Sequence, residues 1–203
     1  VYGLLCAVIG GRLGSVLFYD FHLQLEDPFY FLKIYQGGMS FHGGVIGVMV
    51  GVWIFAYRKG YKFFQLTDWV VPQVPIALFL GRIANFINAE LYGRPTEVSW
   101  GMIFPSDPEG LVRHPSQLYE AGFEGIILFL IFTILVKNNF LERKGFISAL
   151  FLVFYSTFRF FIEFFREPDL QIGYLLFNLT LGQILCLIFF SIGFFLLKKN
   201  ERL

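Results

Sequence analysis

Four stretches of this sequence hold residues able to do chemistry within a strongly apolar chain. The first is Gly81-Arg82-Ile83-Ala84-Asn85-Phe86-Ile87-Asn88-Ala89-Glu90. On a helix, Arg82 and Asn85 share a face, and Glu90 falls two turns on and roughly 80° around. A guanidinium in a low-dielectric site suits a phosphate, because its planar fork donates two parallel hydrogen bonds. A buried Arg paired with a carboxylate for packing is an equal alternative. The second stretch runs Tyr155-Ser156-Thr157-Phe158-Arg159-Phe160-Phe161-Ile162-Glu163, then Phe164-Phe165-Arg166. Tyr155, Arg159 and Glu163 recur every four residues as a polar stripe on an aromatic helix. Arg159 and Glu163 can neutralise one another, and taken alone a salt bridge inside the bundle is the simpler account. Beside a phosphate site, a second Arg would strengthen the anion field.

The third stretch is Met39-Ser40-Phe41-His42-Gly43-Gly44. His is the side chain most readily tuned as a general base near neutral pH, and two glycines let a substrate or another backbone come close. A single interfacial His more often bonds a loop. Gly47 and Gly51 form a small-xxx-small pair that reads as helix packing. The fourth is Arg113-His114-Pro115-Ser116-Gln117-Leu118-Tyr119-Glu120. Ser116 is expected to cap the following helix with Pro115 fixing its entry, which leaves unexplained why Glu120 and Glu124 follow on an intramembrane helix. No metal site is expected, since His22, His42 and His114 lack ligand spacing. There is no Gly-rich phosphate loop after a strand and no Ser-His-Asp set.

The elements that position these groups must be membrane helices. Of 203 residues 56% are hydrophobic, 28 are Phe and only 15% are charged, against about 25% charged in soluble domains. That excludes a cytosolic enzyme, a disulfide scaffold and a disordered chain. Net charge is +1, so a nucleic-acid footprint is absent. Cys6 and Cys186 sit in apolar runs and offer no disulfide framework. A helix crosses the hydrocarbon with about 20 apolar residues. Six stretches qualify or nearly so: Val1 to Phe18, His42 to Tyr57, Val70 to Asn88, Glu120 to Val136, Phe146 to Phe165 and Thr180 to Leu197. The chain opens without Met or a basic leader, so its first stretch is expected to be a span of a chain shortened at its N-terminus, not a signal peptide. The expected fold is an all-α polytopic transmembrane helical bundle, one membrane domain over 1–203 with a short outer-face segment at about 91–119.

Orientation follows from the cations between spans. Arg58, Lys59, Lys62, Lys137, Arg143, Lys144, Lys198, Lys199 and Arg202 fall in one set of alternate loops, and Lys33, Arg94, Arg113 and Arg166 in the other. The first set is expected to be cytoplasmic, with the C-terminus inside. The three remaining cations, Arg12, Arg82 and Arg159, lie within spans. An Arg at the bilayer centre costs roughly 2.5–3.5 kcal/mol on insertion scales, so each should face a cavity, a partner or a ligand. All three fall in the outer halves of their spans, as do Asn85, Asn88, Glu90 and Glu163, with His42 at an outer end. A transporter would place its site nearer the midplane, between broken or repeated helices. A lipid or anionic-solute transporter using these arginines is the alternative function, and a non-catalytic subunit a third.

The residues Gly11-Arg12-Leu13-Gly14, Ser40-Phe41-His42-Gly43-Gly44, Gly81-Arg82 through Glu90-Leu91-Tyr92-Gly93-Arg94, His114-Pro115-Ser116-Gln117-Leu118-Tyr119-Glu120 and Phe158-Arg159 through Glu163-Phe164-Phe165-Arg166-Glu167-Pro168-Asp169 resemble the prolipoprotein diacylglyceryl transferase family. They run in the family's order over essentially the whole chain. The resemblance implies a multi-pass enzyme of the bacterial inner membrane with its site toward the outer leaflet. Such an enzyme moves diacylglyceryl from phosphatidylglycerol to the lipobox cysteine of a prolipoprotein signal peptide. It forms a thioether, releases glycerol phosphate and uses no cofactor. By motif, Arg82 corresponds to the arginine that binds phosphatidylglycerol. His42, Asn85, Glu90, Arg159 and Glu163 match positions needed for activity, and Tyr155 precedes Arg159 as the family's tyrosine does. On that chemistry His42 is the expected thiol base, Arg82 and Arg159 the phosphate stabilisers, and Glu163 the group that orients Arg159. Two departures stand out. The family has a seventh, N-terminal span with a tyrosine to which Tyr2 does not correspond, and the segment between Trp100 and Arg113 is short.

Overall fold

The computed structural model describes residues 1–18, 20–33, 35, 37–168, 175 and 179–200, the side chains of Phe18, Phe41, His42 and Asn200 excepted. The side chain of His42 and the whole of Asp169 and Arg202 therefore lie outside the described residues. Helices run as α1 (Tyr2–Phe18), α2 (Phe21–Glu26), α3 (Phe41–Lys59), α4 (Phe63–Val70), α5 (Val74–Ile87), α6 (Ser116–Glu120), α7 (Leu128–Lys137), α8 (Phe146–Ile162) and α9 (Leu181–Asn200). Each expected span is a helix, and the chain is an all-α membrane protein. Among the described residues, Phe63–Ile87, Ser116–Lys137 and Leu181–Lys199 are long and apolar enough to cross a membrane; Tyr2–Leu17 and Phe146–Ile162 are apolar but shorter.

Two boundaries differ from expectation. The third span starts at Phe63, because α4 continues into α5 through a 3-10 turn at Val71–Gln73. Pro72 and Pro75 sit in the first turns of their segments, where a missing N–H costs nothing. The fourth starts at Ser116, and α6 passes into α7 through a π-helical segment, Ala121–Ile127. Between α5 and α6 lies a small antiparallel hairpin, β1 (Met102–Ile103) and β2 (Val112–Arg113), pairing Met102 with Arg113 and Ile103 with Val112.

The described residues form two compact units, Val1–Leu66 and Thr67–Leu203. In the first, α1 packs on α3 through glycine. A Cβ on Gly10 would strike the Gly43 carbonyl, one on Gly47 the Cys6 carbonyl, and one on Gly51 would lie 2.9 Å from the Tyr2 oxygen. The small-xxx-small pair is thus a packing seam, and Gly43 admits a backbone. Ser40 caps α3 by accepting the Gly43 N–H at 3.3 Å, and Gly60 ends it in the left-handed region. Arg12 is buried, and its partners are backbone carbonyls. Its Nη2 donates to Tyr30 O at 2.8 Å, its Nε to Phe31 O at 3.3 Å and its Nη1 to Gly37 O.

In the second unit, Leu128, Phe132 and Ile147 are fully buried, ringed by Leu135, Phe151, Phe154, Tyr155 and Phe158. This apolar contact of the α6–α7 rod with α8 fixes the rotation of both. At the start of α8, Asp68 from α4 accepts the N–H groups of Gly145 and Ser148 and the Ser148 hydroxyl, the last two at 2.8 and 2.6 Å. The N-cap position of α8 is Gly145, which has no side chain, so a carboxylate from another helix satisfies its first amides.

Candidate active site

The site grows from the end of α5. The helix stops at Ile87, and Ala89 and Leu91 adopt left-handed backbone with φ of 56° and 58°. For residues other than glycine this costs about 1 kcal/mol or more each, and such strain gathers at functional sites. Glu90 therefore does not continue the helix face as its spacing suggests. The turn folds it back, so that Glu90 Oε1 accepts Asn85 Nδ2 at 2.7 Å and Asn88 Nδ2 at 3.4 Å. Asn85 Oδ1 in turn accepts Arg82 Nη1 at 3.4 Å. The turn is held by the start of α6: Gln117 Nε2 donates to Glu90 O at 2.8 Å and Ser116 Oγ to Leu91 O at 3.2 Å. Ser116 is thus not the expected helix cap. Pro115 holds that position, and the hydroxyl is used on the neighbouring turn.

The centre of the site is Glu120, whose side chain is only 2% exposed. Its Oε2 pairs with Arg82 Nε at 2.5 Å, and its Oε1 pairs with Arg159 Nη1 and, at 3.3 Å, with Arg166 Nη1. Arg159 Nη2 also pairs with Glu163 Oε2 at 2.8 Å, while Thr180 Oγ1 donates to Glu163 Oε1 at 2.9 Å. The structure thus brings Arg82, Asn85, Glu90, Arg159 and Glu163 into one network. Arg82 meets Glu120 through Nε and Asn85 through Nη1, and its side chain is 18% exposed, so the guanidinium stays partly open at the edge of the network. Tyr155 lies one turn below Arg159 with its ring stacked on Phe151, centroids 5.5 Å apart, and the network's hydrogen bonds do not include its hydroxyl. His42 begins α3, and its side chain lies outside the description.

Sequence reasoning left Glu120, Glu124 and Arg166 without a site role. The signal present was two acids on an intramembrane helix that capping did not explain. Glu124 lies in the π-helical segment, a form that concentrates at functional sites. It is fully buried 3.8 Å from Arg159 Nη1.

The segment between α5 and α6 roofs this end of the unit. Arg113 is buried and binds Asp107 through Nε at 2.6 Å and Nη2 at 3.1 Å, and also reaches Glu109 and Glu167. The Arg113 hydrogen bonds hold the Asp107 carboxyl below the usual carboxylate range. Burial pushes His114 down, and its Nδ1 lies 3.1 Å from the Tyr119 hydroxyl. A Cβ on Gly93 would lie 2.7 Å from the His114 oxygen and would strike the Phe165 carbonyl, so only glycine fits where the segment meets the end of α8. Arg113 is therefore a pin for the roof, whereas Arg82 and Arg159 meet at Glu120.

A family model described as prolipoprotein diacylglyceryl transferase matches residues 1–198. The chain is similar to a phosphatidylglycerol–prolipoprotein diacylglyceryl transferase of Rickettsia bellii, 52% identical over 201 residues, covering 98% of this chain and 76% of the relative. It is also similar to one of the same name from Azotobacter vinelandii, 53% identical over 181 residues, covering 89% of this chain and 68% of the relative.

Proposed function

The chain belongs to the prolipoprotein diacylglyceryl transferase family, and from that membership we infer that it is a transferase acting on phosphatidylglycerol and a prolipoprotein. In the finer reading, the diacylglyceryl group passes to the thiol of the lipobox cysteine. The C–O bond to the phosphate breaks, a C–S thioether bond forms, and glycerol phosphate leaves. The observation that carries this reading is the convergence of Arg82, Arg159 and Arg166 on one buried point, with the Arg82 side chain 18% exposed.

A free thiol has a pKa of about 8.5 and is only a few per cent thiolate near neutrality, so a nearby base speeds attack. His42 takes that role in this reading and passes the proton on to the departing phosphate. Charge grows on the phosphate oxygens as the C–O bond lengthens, and the Arg82 fork, aided by Arg159, stabilises it. Asn85 and Glu90 hold Arg82 from the left-handed turn, and Glu163 and Thr180 hold Arg159. No step calls on a divalent ion, so turnover is expected to survive EDTA.

The bacterial inner membrane, a cytoplasmic C-terminus and a site toward the outer leaflet complete the proposal, supported by the bias of loop cations. No observation favours the transporter alternative. The deciding assay gives the intact protein phosphatidylglycerol and a lipobox peptide. Release of glycerol phosphate that requires the peptide's cysteine is the expected result. Release with a Cys→Ser peptide, or none with either peptide, overturns it.

A further inference from the structure

Glu120 holds the donors that a phosphodiester needs. A carboxylate and a phosphodiester each present one negative charge on two oxygens, so a guanidinium fork reads them alike. One turn on, Glu124 is fully buried, and neither of its oxygens has a hydrogen-bond partner among the described residues. The charged and titratable groups facing Glu124 are Arg82 from α5, Glu120 from α6, Tyr155 and Arg159 from α8, Arg166 beyond it and Cys186 from α9. Glu163 adds its charge through Arg159. Arg159 Nη1 lies 3.8 Å from Glu124 Oε1, beyond hydrogen-bond reach, and a buried carboxylate without a hydrogen-bond donor is disfavoured, whereas the neutral acid carries an O–H that can donate. With Glu124 neutral, the three arginines carry one positive charge more than Glu120 and Glu163, the carboxylates that pair with them directly, while Glu90 reaches Arg82 only through Asn85.

We propose that Glu120 occupies the phosphate position until phosphatidylglycerol displaces it, and that Glu124, held as the neutral acid, receives the displaced carboxylate on its O–H. The proposal rests on the transferase reading for the identity of the lipid. Arg82 and Arg159 exchange one acceptor for another, Glu120 exchanges guanidinium donors for the Glu124 hydroxyl, and no proton enters or leaves. Glu124 is then a positioning residue. Its worth is that lipid entry leaves no orphaned charge behind.

The probe is a dialkyl ether phosphatidylglycerol, which has no ester carbonyl, added to the intact enzyme in an ester-free detergent. Infrared difference spectra are expected to show a protonated carboxyl band that shifts when the lipid binds and disappears in Glu124→Gln. Because the shift is read in the unmodified enzyme, it does not depend on a variant folding, and a spectrum without such a band overturns the proposal. Binding supplies the second readout. Glu120→Gln replaces a charged competitor by a neutral one and should tighten the ether lipid's Kd about fivefold. A Glu120→Gln that weakens binding as Arg82→Ala does makes Glu120 a fixed support and sinks the exchange. Cysteine-dependent transfer with no Glu124 band refutes the exchange alone. The band and its shift without any transfer refute the transferase reading alone.

Discussion

Two carboxylates are buried at opposite ends of α8, Asp68 beside its first residues and Glu120 beside its last, and they are satisfied in opposite ways. Asp68 meets amides and a hydroxyl that belong to one helix start, and the hydroxyl also reaches Thr67 Oγ1, next to Asp68 on the same helix, at 2.8 Å. The positive end of the helix dipole adds to the fit. Glu120 meets guanidiniums from three separate places, one of them shared with Glu163, and its neighbour Glu124 has no hydrogen-bond partner among the described residues. A closed set of bonds fixes structure. An open set of donors, held on one side by a strained turn, is ready to exchange partners.

The sharpest way to break this comparison is at Arg82. Arg82→Ala removes the guanidinium proposed to hold the phosphate, and kcat/KM for transfer should fall at least about 100-fold, the loss seen when one preorganised charge-stabilising donor is deleted. Unfolding monitored in detergent should move little beside that. Robust turnover by Arg82→Ala would end the phosphate assignment. Asp68→Ala should do the reverse. It strands the amides of Gly145 and Ser148 in an apolar setting and should cost about 1–2 kcal/mol of stability, the usual worth of a helix cap, with turnover per folded molecule preserved. Thermal unfolding and an active-site titration on the same sample separate the two effects.

A smaller effect is expected at the outer support of Arg159. Glu163→Gln keeps the shape but weakens the pair with Arg159, and should lower kcat/KM about tenfold through positioning, as loss of an orienting second contact does. Gly182→Ala tests the same contact from the other side. A Cβ there would lie 2.8 Å from Glu163 Oε1, so the carboxylate must shift. Matching losses in the two variants assign the effect to geometry, whereas a loss confined to Glu163→Gln assigns it to charge.

The asymmetry between these regions also explains what was legible in the sequence. Arg82 with Asn85, and Arg159 with Glu163, lie within one helical turn, where spacing alone predicts contact. Glu120 was visible only as an unexplained acid, because its partners Arg159 and Arg166 are 39 and 46 residues away and only tertiary packing brings them in. Glu90 was assigned to a helix that two left-handed residues, neither glycine, bring to an end. Asp68 falls just before the span expected from Val70, and its partners Gly145 and Ser148 lie 77 and 80 residues away, so no local spacing reveals that it caps α8. Gly47 and Gly51 were readable because a small-residue stripe has one common use, although their partners on α1 were not.

The smallest expected effect lies in the roof, at His114. Trp100 Nε1 donates to the Tyr119 hydroxyl at 2.7 Å, which leaves the Tyr119 proton for His114 Nδ1 and favours the neutral ring, as burial does. The unfolded chain binds a proton on this His near pH 6.5, while the folded chain binds it only at lower pH. Stability is therefore at its full value above about pH 6.5 and is lost as pH falls toward the depressed folded value, since the unfolded state takes up the proton first. Asp107, lowered by Arg113, has the same sign in a more acid window: its contribution is complete above its ordinary value of 3.8 and is lost as pH falls below that. Melting temperature followed from about pH 7.5 to about pH 5 should thus decline in the wild type and flatten in His114→Gln. A decline that persists unchanged in His114→Gln would show that another group, not His114, sets how the fold responds to acid in this range.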